Sequence, residues 1–126
     1  MPASAKLVLG VGALLGAAAV VLGAFGAHAL KSRLPAEMLV LWQTAVQYHF
    51  WHVMALLAVG LTAFHVPESN WLNAAAVLFV TGILIFSGSL YLLSLGAPRV
   101  LGIATPIGGL ALVLGWLALA AGLLRA

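Results

Sequence analysis

Two imidazoles one helical turn apart, His49 and His52, are the residues whose type and spacing most suggest chemistry, since side chains at i and i+3 can meet on one metal ion or haem. Such a site wants further ligands. Only His28 offers a third and no carboxylate stands near, so no metal and no cofactor is expected. Ser87 and Ser89 are hydroxyl nucleophiles in type, but no base and orienter can be assembled around them, so no catalytic residue is assigned and an enzyme is not expected. The chain has no cysteine, which excludes a thiol nucleophile, a disulfide and a thiolate metal site. What remains is a polar cluster of His28, Gln43, Gln47, His52, Ser87, Ser89, Tyr91 and Thr105, suited to hydrogen bonding between elements. Its titratable His28 and His52 are also what a proton relay would use.

The elements that carry these residues follow from where charge is missing. Of 126 residues 65% are apolar and 6% charged, against about 25% charged in a soluble domain. Lys6, Lys31, Arg33, Glu37, Glu68, Arg99 and Arg125 divide the chain into uncharged blocks of 24, 30, 30 and 25 residues. A bilayer core about 30 Å thick needs about 20 helical residues, and every block meets that length. The blocks lack the alternating polarity and many short strands of a spanning barrel. The spacing predicts one domain over residues 1–126, an all-α polytopic membrane protein. Its four transmembrane helices, at about 7–30, 38–64, 71–95 and 101–124, form an up-down-up-down bundle. Pro35, Pro67 with Ser69 as N-cap, and Pro98 mark the breaks.

The start also has features of a signal peptide, because Lys6 precedes an apolar run ending in Ala27, His28 and Ala29. The run is longer than a usual signal core, and Lys31 and Arg33 follow it like a stop-transfer flank, so the first helix is expected to be retained. The net charge of +3 comes from scattered basic residues with no stripe, which points to lipid headgroups and away from nucleic acid. Lys31, Arg33 and Arg99 fall on one side and Lys6 and Arg125 on the other, so both termini are expected outside the cytoplasm.

On the second helix Gln43 and Gln47 share one face, Thr44, Tyr48 and His52 the next, and His49 lies with Trp42 further round. Ser87, Tyr91 and Ser94 share a face of the third and can supply partners. Gly12, Gly16, Ala19, Gly23 and Ala27 line one face of the first helix, and Gly108, Ala111, Gly115, Ala118 and Gly122 one face of the fourth. With Gly88 in the third, these glycines are the expected packing sites. Trp42, Trp51, Trp71, Trp116, Tyr48 and Tyr91 are expected as interfacial anchors, Trp71 above all. Pro106 falls in the first turns of the fourth helix, where a missing amide donor costs little. No internal repeat is evident, which weakens an inverted-repeat transporter.

The segments GAFGAHAL at 23–30, WQTAVQYHFWHVMALL at 42–57, FSGSLYLL at 86–93, TPIGG at 105–109 and GW at 115–116 resemble the YgdD-like small integral membrane protein family, a domain of unknown function numbered 423. By that resemblance His28, His52, Ser87, Gly88, Ser89, Tyr91, Thr105, Pro106, Gly108 and Gly109 correspond to its signature positions. His49 departs from the pattern, in which Gln usually follows the Tyr, so the resemblance does not support a paired-His site. It implies a multi-pass protein of the bacterial inner membrane, or of an organelle derived from it, and supplies no reaction, cofactor or substrate. The expected function is therefore a non-enzymatic membrane-supporting or partner-binding protein. Its partners would be membrane lipids and a second copy or another membrane protein. The alternative is a small transport or proton-relay protein built on the His/Ser/Tyr cluster.

Overall fold

The computed structural model describes residues 3–66 and 68–126, which form four helical rods and no strand. The first is α1 (Ala3–Phe25) continued by a π turn (Gly26–Leu30), and the second is α2 (Ala36–His65). The third is α3 (Asn70–Gly82), a π turn (Ile83–Ser87) and α4 (Gly88–Ser94). The fourth is a 3₁₀ turn (Arg99–Ile103) followed by α5 (Ala104–Leu124). The sequence predicts four uninterrupted α-helices, and the two π turns are departures from it. Lys6 also lies inside α1, which begins earlier than its charge suggests.

The rods end where local chemistry stops them. α2 starts directly after Pro35, whose ψ of 155° is extended, and carries Glu37 in its first turn beside the positive end of the helix dipole. Ser69 caps α3, its hydroxyl accepting from the Leu72 amide at 3.3 Å. The expected break at Pro67 lies outside the described residues, as do Met1 and Pro2. The third rod closes in a Schellman motif: Gly96, at φ 101°, lets its amide reach the Leu93 carbonyl at 3.1 Å and the Ala97 amide the Leu92 carbonyl at 3.0 Å.

Successive rods run antiparallel. Gly12 faces Leu57, Gly16 faces Val53, Gly23 faces Val46 and Gly26 faces Trp42, so the register between the first two rods holds without a slip. Gly82 against Leu112, Gly108 against Phe86, Gly115 against Phe79 and Gly122 against Leu72 do the same for the last two. At Gly12, Gly26, Gly82, Gly115 and Gly122 a Cβ would collide with a neighbour's side chain, and at Gly108 with the Phe86 backbone itself; at Gly16 and Gly23 it would only press tightly on Val53 and Val46. Gly88 is different, with nothing within 4 Å of where its Cβ would stand. In the first rod the buried small residue after Gly23 is Gly26 rather than Ala27, which is exposed.

Phe79, Leu56, Leu72 and Val59 form the centre of the core, between the second, third and fourth rods, with the first rod packed chiefly on the second. Large apolar side chains also cover the outside, Leu14 at 74% and Leu124 at 86% exposure among them. A water-facing surface would not carry them in such number. Three rods are long and apolar enough to cross a membrane: Ser4–Leu30, with mean hydropathy 2.4, and Asn70–Ser94 and Arg99–Leu124, each at 2.2. The 30-residue second rod is the longest but falls outside that group, because Trp42, Gln43, Gln47, Tyr48, His49 and His52 crowd its first half.

Candidate functional site: a closed polar centre

α2 turns Trp42, Ala45, His49, His52 and Leu56 inward, at the 3- and 4-residue steps of one helix face. His49 and His52 are 3% and 6% exposed, and the midpoint of α2 falls between Phe50 and Trp51, so the imidazoles lie at its centre. Each ring is held at both nitrogens. His49 Nε2 lies 2.8 Å from the Leu15 carbonyl, which can only accept, so Nε2 carries the proton; Nδ1, 2.8 Å from the Tyr91 oxygen, then accepts from that hydroxyl. At His52 the assignment reverses. Nδ1 donates to the Tyr48 carbonyl at 2.7 Å, and Nε2 accepts from the Trp116 indole N–H at 3.0 Å. His52 is thus a neutral imidazole, because the indole N–H can only donate, and a neutral His49 takes the opposite tautomer.

The hydroxyls complete the centre. Ser87, 1% exposed, donates to the Ala45 carbonyl at 2.8 Å. Ser89 donates to the Phe86 carbonyl at 2.8 Å, so the Thr105 hydroxyl, 2.6 Å away, donates to Ser89. Ser94 turns back to the Tyr91 carbonyl of its own helix. Trp42 donates from its indole to the Leu22 carbonyl at 2.9 Å and lies against Tyr91 with ring centroids 4.7 Å apart. Gly26 makes room for this indole, since a Cβ there would run into it.

The π turn at Ile83–Ser87 serves the same centre. The Gly88 amide bonds to the carbonyl of Ile83, five residues back, so one extra residue enters the turn and re-aims the helix beyond it. Ser87, Ser89 and Tyr91 leave that segment toward α2 and α5. At the same level Gly108 of α5 comes against the Phe86 backbone.

Six hydrogen bonds therefore cross between rods: His49 to Leu15, Tyr91 to His49, Trp42 to Leu22, Ser87 to Ala45, Thr105 to Ser89 and Trp116 to His52. At about 0.6 kcal/mol each, the average for interhelical bonds in a membrane protein, they stabilise the assembly by roughly 4 kcal/mol. Among the described residues no buried side-chain nitrogen or oxygen lacks a partner.

Of the eight residues expected to cluster, the structure brings His52, Ser87, Ser89, Tyr91 and Thr105 into this centre. It does not bring in the other three: His28 stands exposed in the first π turn, and Gln43 and Gln47 are exposed on the outer face of α2. The sequence reading weighed His49 only as a metal ligand and left it out of the cluster; it also took Trp42 and Trp116 for interfacial anchors, and counted Tyr91 in both groups, when the polar tips of all three point inward to partners. The seven-residue spacing that unites Trp42, His49, Leu56 and Ala63 on one face was the available signal, since it continues into plainly apolar core positions. Trp71 sits at a rod start as expected, with the Arg125 guanidinium 5.8 Å from its ring centroid.

Three surface concavities open outside the imidazoles and hydroxyls of this centre, the third of them reaching Trp42. A groove of about 420 Å³ between the first and third rods has Ser4 and Asn73 at one end and Leu7, Val11, Val77 and Val80 along its walls. A shallower one runs along α1 from Lys6 to Leu14. The third lies between Gly23 and Gln47. None of the three is lined by His49, His52, Ser87 or Tyr91. Among the described residues no three His, Asp or Glu side chains converge as a metal site.

Comparison with known proteins adds a family. Residues 22–109 match the model of a family described as "Protein of unknown function (DUF423)". The chain is 40% identical to the UPF0382 membrane protein YwdK of Bacillus subtilis, over 89% of this chain and 91% of that protein. It is 43% identical to a UPF0382 membrane protein of Staphylococcus saprophyticus, over 93% and 96%, and 36% identical to the UPF0382 inner membrane protein YgdD of Escherichia coli, over 84% and 80%. No solved structure gave a significant match. The matched stretch contains both central imidazoles, the serines, Tyr91 and Thr105, and leaves out Leu15 and Trp116.

Proposed function

Because the chain belongs to the DUF423 family, whose relatives above are named membrane proteins, we propose that it is a non-enzymatic, multi-pass protein of the cytoplasmic membrane. All four rods cross the bilayer as an up-down-up-down bundle with both termini outside the cytoplasm. The polar centre holds the rods in one arrangement, and the outer faces meet lipid or other membrane proteins, so that the protein supports the membrane or a larger assembly in it.

The observation that carries this reading is the occupancy of both nitrogens on both imidazoles. A metal ligand needs a free lone pair, and a general base or relay member needs one that faces a group able to exchange a proton. At His52 the only lone pair faces the Trp116 N–H, which donates and never accepts, so protonating His52 means breaking that bond. At His49 the lone pair meets the Tyr91 hydroxyl, and neither group lines any of the three surface concavities from which a proton could be passed in. The second rod, polar as it is, fits in hydrocarbon on the side where these groups bond to one another.

The test has two arms. Cells lacking the gene are expected to lose membrane integrity, read as raised permeability or a lowered membrane potential. Proteoliposomes holding the purified protein are expected to conduct protons no faster than empty vesicles, with or without His52→Ala. A pH-dependent flux that His52→Ala abolishes would replace this reading with the proton-relay one.

A further inference from the structure

Gln43 and Gln47 lie one turn apart on the outer face of α2, exposed, and among the described residues neither carboxamide has a hydrogen-bond partner. We propose that two copies of this chain pair in the membrane along this face, with the carboxamides of Gln43 and Gln47 bonded to those of the second copy.

The inference rests on the second rod spanning the bilayer, and depth then makes the two amides costly. Measured from the midpoint of α2, Gln47 lies about 5 Å and Gln43 about 11 Å along the axis, both inside a hydrocarbon half-thickness of about 15 Å. A carboxamide there has no water, and leaving its donors and acceptor unmet is unfavourable in a solvent of acyl chains. Acyl chains offer no partner at either depth.

A second copy does. A carboxamide carries both donor and acceptor, so it is complementary to another carboxamide. Two chains of the same orientation are related by a two-fold axis along the membrane normal, which brings each residue of α2 opposite its own counterpart at the same depth. The rest of the face fits that geometry: Val40, Gln43, Gln47, Phe50 and Met54 follow the 3- and 4-residue steps of a two-helix seam, and Leu61 stands seven residues on, past Leu57, which packs against Gly12. Val40, Phe50, Met54 and Leu61 are each at least 42% exposed. Beside the amides is a crevice of about 230 Å³, floored by Gly23 and Gly26 of the first rod, where large side chains from the second copy can seat.

The chain has no cysteine, so single-cysteine variants report the contact directly. In native membranes Val40→Cys and Met54→Cys are expected to cross-link between copies on oxidation, and Leu117→Cys, exposed on α5, is not. Dilution in lipid vesicles, followed by energy transfer between labelled copies, is expected to give a dimer. The Gln43→Leu/Gln47→Leu double variant should weaken it about tenfold, equivalent to about 1.4 kcal/mol, because it removes both amide pairs of the seam. Unchanged helical circular dichroism in that variant separates loss of pairing from loss of fold. A monomer at every lipid dilution overturns the pairing, and a dimer indifferent to the double variant overturns the face. If Gln47→Cys reacts with a membrane-impermeant thiol reagent, the spanning premise itself fails; if it is shielded while the chain stays monomeric, the span stands and only the pairing is lost.

Discussion

The chemistry of single residues is decided here by which partner each polar atom meets. His49 and Tyr91 form one unit: truncating either leaves the other's polar atom buried without a partner, at a cost of about 1–3 kcal/mol. His49→Leu and Tyr91→Phe are each expected to lower unfolding stability in detergent by about that amount. The double variant should cost less than the two together, because it removes both halves of the bond. Strict additivity in that cycle would mean that the hydrogen bond contributes nothing. The family resemblance favoured His52 and set His49 aside, although the seven-residue spacing from Trp42 placed His49 on the face that runs on into Leu56 and Ala63. Its partners, Tyr91 and the Leu15 carbonyl, lie 42 and 34 residues away.

Among the elements, closeness of approach separates glycines that look alike in the sequence. Gly108 lies against the Phe86 backbone, where a methyl group would force the third and fourth rods apart, whereas Gly88 faces open space in a regular helical conformation of φ −58°. Gly108→Ala is expected to destabilise the protein by about 1–3 kcal/mol through overpacking. Gly88→Ala should be neutral or stabilise by about 0.5–1 kcal/mol by stiffening the unfolded chain. Thermal unfolding of the two variants in the same detergent checks the contrast, and equal shifts would contradict it. The small-residue stripes of the first and fourth rods were readable from spacing because α-helical periodicity holds along them. The π turns were not, since an inserted residue leaves no compositional mark. Ala27 gave way to Gly26 at the first of them.

For the whole molecule, the proposed topology makes a direct prediction about sidedness. Ser32, exposed in the turn between the first two rods, should as Ser32→Cys be labelled by an impermeant reagent only from the cytoplasmic side; Ser4→Cys should be labelled only from outside intact cells. Labelling of Ser32→Cys from outside would invert the orientation. The helical class, the four long uncharged stretches and the family resemblance are legible along the chain, because block length, charge placement and local motifs are properties read in one dimension. So are the Ser69 cap and the stops near Pro35 and Pro98, which depend on neighbouring residues alone. That the imidazoles face inward and the glutamines outward on the same helix follows from the packing of the rods. That choice is angular: it depends on the neighbouring rods, on the register their glycines allow and on a π turn that re-aims Tyr91, none of which is local to α2.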